Sequence, residues 1–200
     1  MKTVRRALSL STSMLKRFSN IIGFDDAPFP AGHTGAVRVV GTVYAKARLD
    51  GVLIGEVKRD GTDAARTLAR LVTQSKFARS VQLVMLQGIA LAGFNVVDVF
   101  ELHERLGLPV LVVARRRPDM AAIRSALLNV RGGRRKWALI EKLGEMEKLE
   151  NAYVQRVGLT IEQASSALRQ CTVTGIIPEP LRVAHFIAGA LVKGQSSGRV

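Results

Sequence analysis

The sequence predicts an α/β protein: a mixed sheet covered by helices on both faces. Two patterns carry that prediction, a strand–helix–strand unit over residues 81–113 and three β-branched runs ahead of it. Val81 to Leu86 is an almost unbroken apolar run, as expected of a strand buried on both faces. Gln87-Gly88 ends it, and Gly93 gives the backbone room to turn. Phe94, Val97, Phe100, Leu102 and Leu106 then recur at helical spacing, Gly107 stops that helix, and Val110 to Val113 follows Pro109 as a second buried run. A unit of this kind makes the two strands parallel neighbours joined by a right-handed crossover. Ligands of such sheets bind beyond the carboxyl ends of the strands. Gln87, Gly88 and the run Arg115-Arg116-Arg117 are therefore expected on one rim.

Before this unit, Phe18 to Asp26 reads as a strand ending in two adjacent carboxylates, and APFPAGHTG as loop. Val37 to Ala47 is a second strand, with Gly41 a bulge or crossing point. Leu49-Asp50-Gly51 signals a turn into a third strand, VLIGEVKR, which completes an antiparallel meander. Asp60-Gly61-Thr62-Asp63 opens a helix reaching Phe77, with Thr62 or Asp63 as its cap.

After the unit, Pro118-Asp119 starts another helix, in which Ile123, Ala126 and Leu127 face inward. Arg131 to Lys136 reads as a basic glycine-containing loop, and residues 138–150 as a charged helix interrupted by Gly144. Tyr153 to Val157 is a short strand, Thr160 caps a helix through Gln170, and Pro178-Glu-Pro180 introduces a final helix, Leu181 to Val192. The expected organisation is a basic, loose lead-in over 1–17, one domain over 18–193, and a flexible end over 194–200. The order of elements is that of ribonuclease-H-like nucleases, and other α/β folds can share it.

The chain has 200 residues, enough for one substantial core. Its charge is the unusual quantity: 30 Lys and Arg against 16 Asp and Glu, a net +14. The excess divides equally between residues 1–100 and 101–200, so it belongs to the body and favours a polyanion such as nucleic acid. Cys171 is the single cysteine, which excludes an internal disulfide and a cysteine zinc site and suits a reducing, cytoplasmic interior. No apolar run approaches a membrane span, so no membrane association is expected.

Asp25 and Asp26, adjacent in a strand, point to opposite faces. Asp60 ends the third strand of the meander. Carboxylates on neighbouring strand ends would form a hard-oxygen site for Mg²⁺ or Mn²⁺. Asp60 and Asp63 also suit a simple turn and helix cap. Gln87 offers a neutral carbonyl where an Asp would complete a triad. Arg182 and His185 fall on one side of the last helix, which is expected to border the carboxylates. Arg115, Arg116, Arg117 and the segment from Arg131 to Lys136 are candidate phosphate contacts, with Trp137 able to stack on a base.

The stretches IIGFDDAPF, GEVKRDGTDA, LQGIALAGFNVVD, LPVLVVARRRPD and IIPEPLRVAHFIA together resemble the archaeal endonuclease dU-like family, related to endonuclease V. The resemblance spans residues 18–199 and implies a ribonuclease-H-like fold and a Mg²⁺-dependent nuclease acting beside a deaminated base of the uracil or hypoxanthine type. Position by position it implies Asp25 and Asp60 as metal ligands, and with Gln87 at the third carboxylate's place, Asp26 is expected to assist as a catalytic carboxylate. Gln87, Arg115, Arg116, Arg117, Arg182 and His185 are the candidate nucleic-acid contacts, with DNA expected over RNA. The endonuclease V pattern has an aspartate where Gln87 stands, a histidine carried over to Leu159 after Gly158, and a Pro-aromatic-x-Pro wedge carried over to Leu49 to Val52. Two readings follow: a metal-dependent endonuclease, or a nucleic-acid-binding protein on the same fold that has lost hydrolysis.

Overall fold

The structure, a computed structural model, describes residues 17–196. Most of the expected lead-in, and residues 197–200 of the expected flexible end, lie outside the described residues. The chain enters at β1 (Asn20–Asp26), returns as β2 (Ala36–Ala45) and turns again into β3 (Arg48–Lys58). α1 (Ala64–Thr73) leads to β4 (Leu83–Gln87), a small hairpin of β5 (Ala90–Leu91) and β6 (Asn95–Val96), α2 (Val99–Leu106) and β7 (Val110–Ala114). α3 (Met120–Leu127), α4 (Gly133–Leu143), β8 (Glu147–Leu149), β9 (Ala152–Val157), α5 (Ile161–Cys171) and α6 (Glu179–Lys193) complete it.

Seven strands form one sheet in the order β3-β2-β1-β4-β7-β9-β8. The meander is antiparallel, β1 and β7 both lie parallel to β4, and β9 is antiparallel to β7. Side-chain alternation splits the core in two. Ile22, Phe24, Val84 and Leu86 face α1 and α2, while Ile21, Leu83, Met85 and Leu111 face α5 and α6. Among the described residues no helix is long and apolar enough to cross a membrane.

Several sequence expectations need correction. The hairpin turn falls at Lys46, which has a φ of 58°, and Asp50-Gly51 lies inside β3. Gly51 is there because Phe77 packs over it; a Cβ would sit 2.2 Å from that ring. Gly41 likewise makes room for the Phe24 ring, whereas the β2–β3 irregularity lies between Val43 and Tyr44. α1 stops at Thr73, short of Phe77. Phe94 to Val97 belong to the β5–β6 hairpin and its exit, and α2 starts only at Val99, where the Asp98 side chain accepts from the Glu101 N–H. Arg134 to Trp137 are not loop but the start of α4, which ends at Gly144 ahead of β8. In α3 only Leu127 is fully buried.

α6 is held close against β1 and β2. The Thr42 hydroxyl donates to the Pro180 carbonyl, and a Cβ on Gly23 would lie 2.6 Å from the Pro180 backbone. Gly23→Ala should therefore push α6 outward and destabilise the fold by about 1–3 kcal/mol, as overpacking does. Thermal melts check this; an unchanged melting temperature would mean the helix moves freely.

Candidate active site at the carboxyl ends of the strands

β1, β4 and β7 run in the same direction and end at Asp26, Gln87 and Ala114. β3, reversed twice from β1, ends at the same rim, with Lys58 opposite Ala36. The strand directions thus gather Asp25, Asp26, Gln87, Arg115–Arg117 and Asp60 at one edge, but β2 lies between β3 and β1, so Asp60 is not on the strand end next to Asp25 as the sequence reading expected.

Alternation then sorts the acids. Asp25 faces α6, where it is only 5% exposed, and His185 Nδ1 lies 2.8 Å from its Oδ2. The sequence places His185 there by local means: Pro178 and Pro180 start the helix, and the missing side chain at Gly23 lets it lie low across β1. Gly23 pairs with Met85 and Phe24 with Leu86 in parallel register, so Gln87 comes level with Asp25 on the same face. The Gln87 Oε1 is buried and has no hydrogen-bond partner among the described residues, and an orphaned acceptor of this sort is energetically unfavourable.

Asp26 faces the other way and accepts from the Ala92 N–H at 3.0 Å. The Asp60 N–H donates to the Ala92 carbonyl, and Asp60 Oδ1 accepts from the Phe94 N–H at 2.8 Å. Asp26 and Asp60 therefore grip the same turn from two sides. Asp60 also pairs with Arg59 at 3.3 Å and takes a positive φ of 50°. Asp63 sits at the N-cap position but makes no cap bond; it accepts instead from Lys58 N–H and from Asn95.

Burial pushes the Asp25 carboxyl above the ordinary carboxylate range even though His185 opposes the shift. Asp26 is pushed up to about 6, by burial first and by the neighbouring Asp25 charge second. The hydrogen bond to Asp25 raises His185. Two acids on one strand, both disfavoured as anions, are a place where an added cation would relieve strain.

Other candidates are distributed unevenly. Arg115, Arg116 and Arg117 are exposed just past β7, and Arg117 makes a loose 3.4 Å pair with Glu145. Arg182 is gripped by Glu179 and lies over Phe186, so of the expected pair on α6 only His185 touches Asp25. Lys136 is not a free phosphate contact: it is 2% exposed, and its Nζ donates to the Asp60 carbonyl. Its role lay hidden in a run that reads as a basic loop, and only its helical spacing to Ile140 hinted at burial.

Two carried-over positions are corrected. Val157 pairs with Val110 at the start of β7, so Leu159 lies at the opposite end of the sheet from the rim, inside the core. Leu49 and Val52 are strand residues opposite Tyr44 and Thr42. Neither position bears on the carboxylates. His33 and His103 bond the Ala36 and Leu108 carbonyls instead.

Among the described residues, no three His, Cys, Asp or Glu side chains form a ready-made metal cluster. The donors at the rim nevertheless suit a hard cation, since carboxylate oxygens stand with the unpartnered Gln87 carbonyl and no sulfur.

A seven-stranded mixed sheet of this order, with acids at the ends of its strands, defines an α/β protein of the ribonuclease-H-like class. The chain belongs to the endonuclease dU family, whose model matches residues 17–192. A UPF0215 protein of Deinococcus radiodurans is 56% identical over 92% of this chain and 94% of its own length. One from the archaeon Methanosarcina acetivorans is 39% identical over 90% and 93%. A solved protein of unknown function from Archaeoglobus fulgidus superimposes with a TM-score of 0.82 at 34% identity, covering 88% of this chain and 99% of that one. Endonuclease V of Ciona intestinalis, bound to a DNA containing inosine followed by a ribo-adenosine, shares the fold with a TM-score of 0.60 at 14% identity, over 88% and 87%.

Proposed function

We propose that the protein is a divalent-metal-dependent endonuclease, using Mg²⁺ or Mn²⁺, that cuts nucleic acid beside a deaminated base of the uracil or hypoxanthine type. The observation that carries this is the pair of disfavoured carboxylates, Asp25 and Asp26, beside a buried amide oxygen on Gln87 that nothing among the described residues satisfies. The endonuclease dU family match and the fold shared with a DNA-bound endonuclease V support the same reading. The cation would be held by Asp25, with Gln87 as a neutral ligand and Asp26 assisting, whereas Asp60, expected as a second ligand, is engaged by the Phe94 N–H and Arg59. Bound there, it would supply charge neutralisation for the phosphate and activation of water. His185 orients Asp25 and can hold or release a proton at Nδ1. Arg115, Arg116, Arg117 and Arg182 supply positive charge for the strand, with DNA preferred over RNA and the cytoplasm as the setting.

A second reading, a binding protein without hydrolysis, has one observation in its favour, the amide at Gln87 in place of a third carboxylate. Uracil-, hypoxanthine- and xanthine-containing oligonucleotides, single- and double-stranded, incubated with Mg²⁺ or Mn²⁺ separate the two. Cleavage of at least one modified strand, absent in EDTA, is expected. Binding without cleavage under every condition would leave the second reading standing.

A further inference from the structure

Half of the chain's net charge sits in one short segment. Residues 115–136 hold eight basic residues and a single acid, a net +7 out of +14. Lys136 is the only one of the eight that is buried, so seven arginines stay exposed along the rim, α3 and the start of α4. Beside this segment lies a cavity of about 360 Å³, walled chiefly by Met120, Trp137, Ile140 and Met146 and edged by Arg117, Glu141 and Glu145, with the Arg124 guanidinium 5.4 Å from the Trp137 ring centre. That volume is in the range of clefts for small ligands, roughly 300–1,000 Å³. Lys136 and Trp137 are consecutive on α4: one reaches the Asp60 carbonyl, and the other lines the cavity. The cavity is therefore tied to the Asp60 end of the rim through two consecutive residues of α4.

We propose that this cavity is a subsite for one unpaired nucleobase of the strand whose phosphates lie on the arginine rim. The inference rests on the nucleic-acid reading above. An apolar slot with an aromatic wall, two deformable methionines and a margin offering both a guanidinium donor and carboxylate acceptors has the chemistry that holds a flat aromatic heterocycle, while its phosphates stay outside on the exposed arginines of the rim. Arg117 can donate to a base carbonyl, and Glu145 can accept from a ring N–H. Their mutual pairing at 3.4 Å, with side chains 67% and 89% exposed, is loose enough to exchange for a ligand.

Trp137 is the only tryptophan in the chain, so its fluorescence reports on this cavity alone. The test titrates protein in EDTA with a short single-stranded oligothymidylate and with the same length of abasic strand, following Trp137 emission and the anisotropy of labelled strand. The expected result is quenching by oligothymidylate, no quenching by the abasic strand, and about tenfold weaker binding of the latter, as loss of base stacking implies. Met120→Phe, which narrows the cavity from its exposed lip, should reduce the quenching with the melting temperature unchanged. Binding of both strands with unaltered Trp137 emission, or equal quenching by both, would overturn the subsite and leave the nucleic-acid reading intact. Failure of both strands to bind would overturn both.

Discussion

Asp25→Asn is expected to lower cleavage roughly a thousandfold or more while leaving nucleic-acid binding intact or tighter. Metal stabilisation of a phosphoryl transition state is worth several kcal/mol, and each ~1.4 kcal/mol is a factor of ten in rate. Asp25 is the acid that faces both Gln87 by register and His185 at 2.8 Å, so its loss also releases the imidazole. Binding should survive because the substitution removes a negative charge from beside the phosphates. Single-turnover cleavage and filter binding, measured together, check this. If wild type and Asp25→Asn cut equally, the carboxylate is not part of the machinery.

Asp26→Asn is expected to stabilise the fold at neutral pH. A carboxyl pushed up to about 6 binds its proton more tightly in the folded chain than in the unfolded one. Between the ordinary carboxylate value and about 6 the native state carries more protons, so stability falls as pH rises through that window. The shift corresponds to about 2–3 kcal/mol at pH 7, which the neutral amide recovers while its oxygen still accepts from Ala92. Melts in EDTA should show Asp26→Asn more stable than wild type at pH 7 and level with it near pH 4. A variant less stable at pH 7 would show that Asp26 is favourably ionised in the folded protein. Stabilisation together with loss of cleavage would mark this acid as one retained for function at the expense of stability.

The parts of the fold legible in the sequence are those where local chemistry and burial agree. Gly107 ends α2 in the left-handed conformation, Thr160 and Gln163 form a reciprocal cap on α5, and the apolar runs of β4 and β7 stand at the centre of the sheet. The misread parts are those governed by distant neighbours. Asp50-Gly51 carries a turn signal, yet Gly51 is small because Phe77 covers it from another element. Gly133 reads as loop, but it opens α4 where no Cβ would fit, 1.7 Å from the Leu127 carbonyl oxygen. Two-residue strands such as β5 and β6 are too short to leave a period.

At the site, Asp25, Asp60 and Gln87 could be assigned to the rim because strand direction follows from the order of elements. His185 could be brought near them through the Pro-Glu-Pro start of its helix. The division of Asp25 and Asp26 between two faces was also legible, but their partners were not, since His185 and Ala92 arrive from 160 and 66 residues away. Lys136 was misassigned for the same reason: an amine in a basic run gives no sign that it is buried beneath Asp60.

Binding of Mn²⁺, followed by electron paramagnetic resonance with an uncleavable phosphorothioate oligonucleotide present and absent, tests the central claim most directly. With few charged ligands on the protein, the cation should bind weakly alone and much more tightly once the strand adds its own negative charge. Asp25→Asn should lose that tight binding, and Gln87→Asp should strengthen binding even without the strand. Mn²⁺ affinity that is the same in wild type, Asp25→Asn and Gln87→Asp would contradict a metal site at this rim.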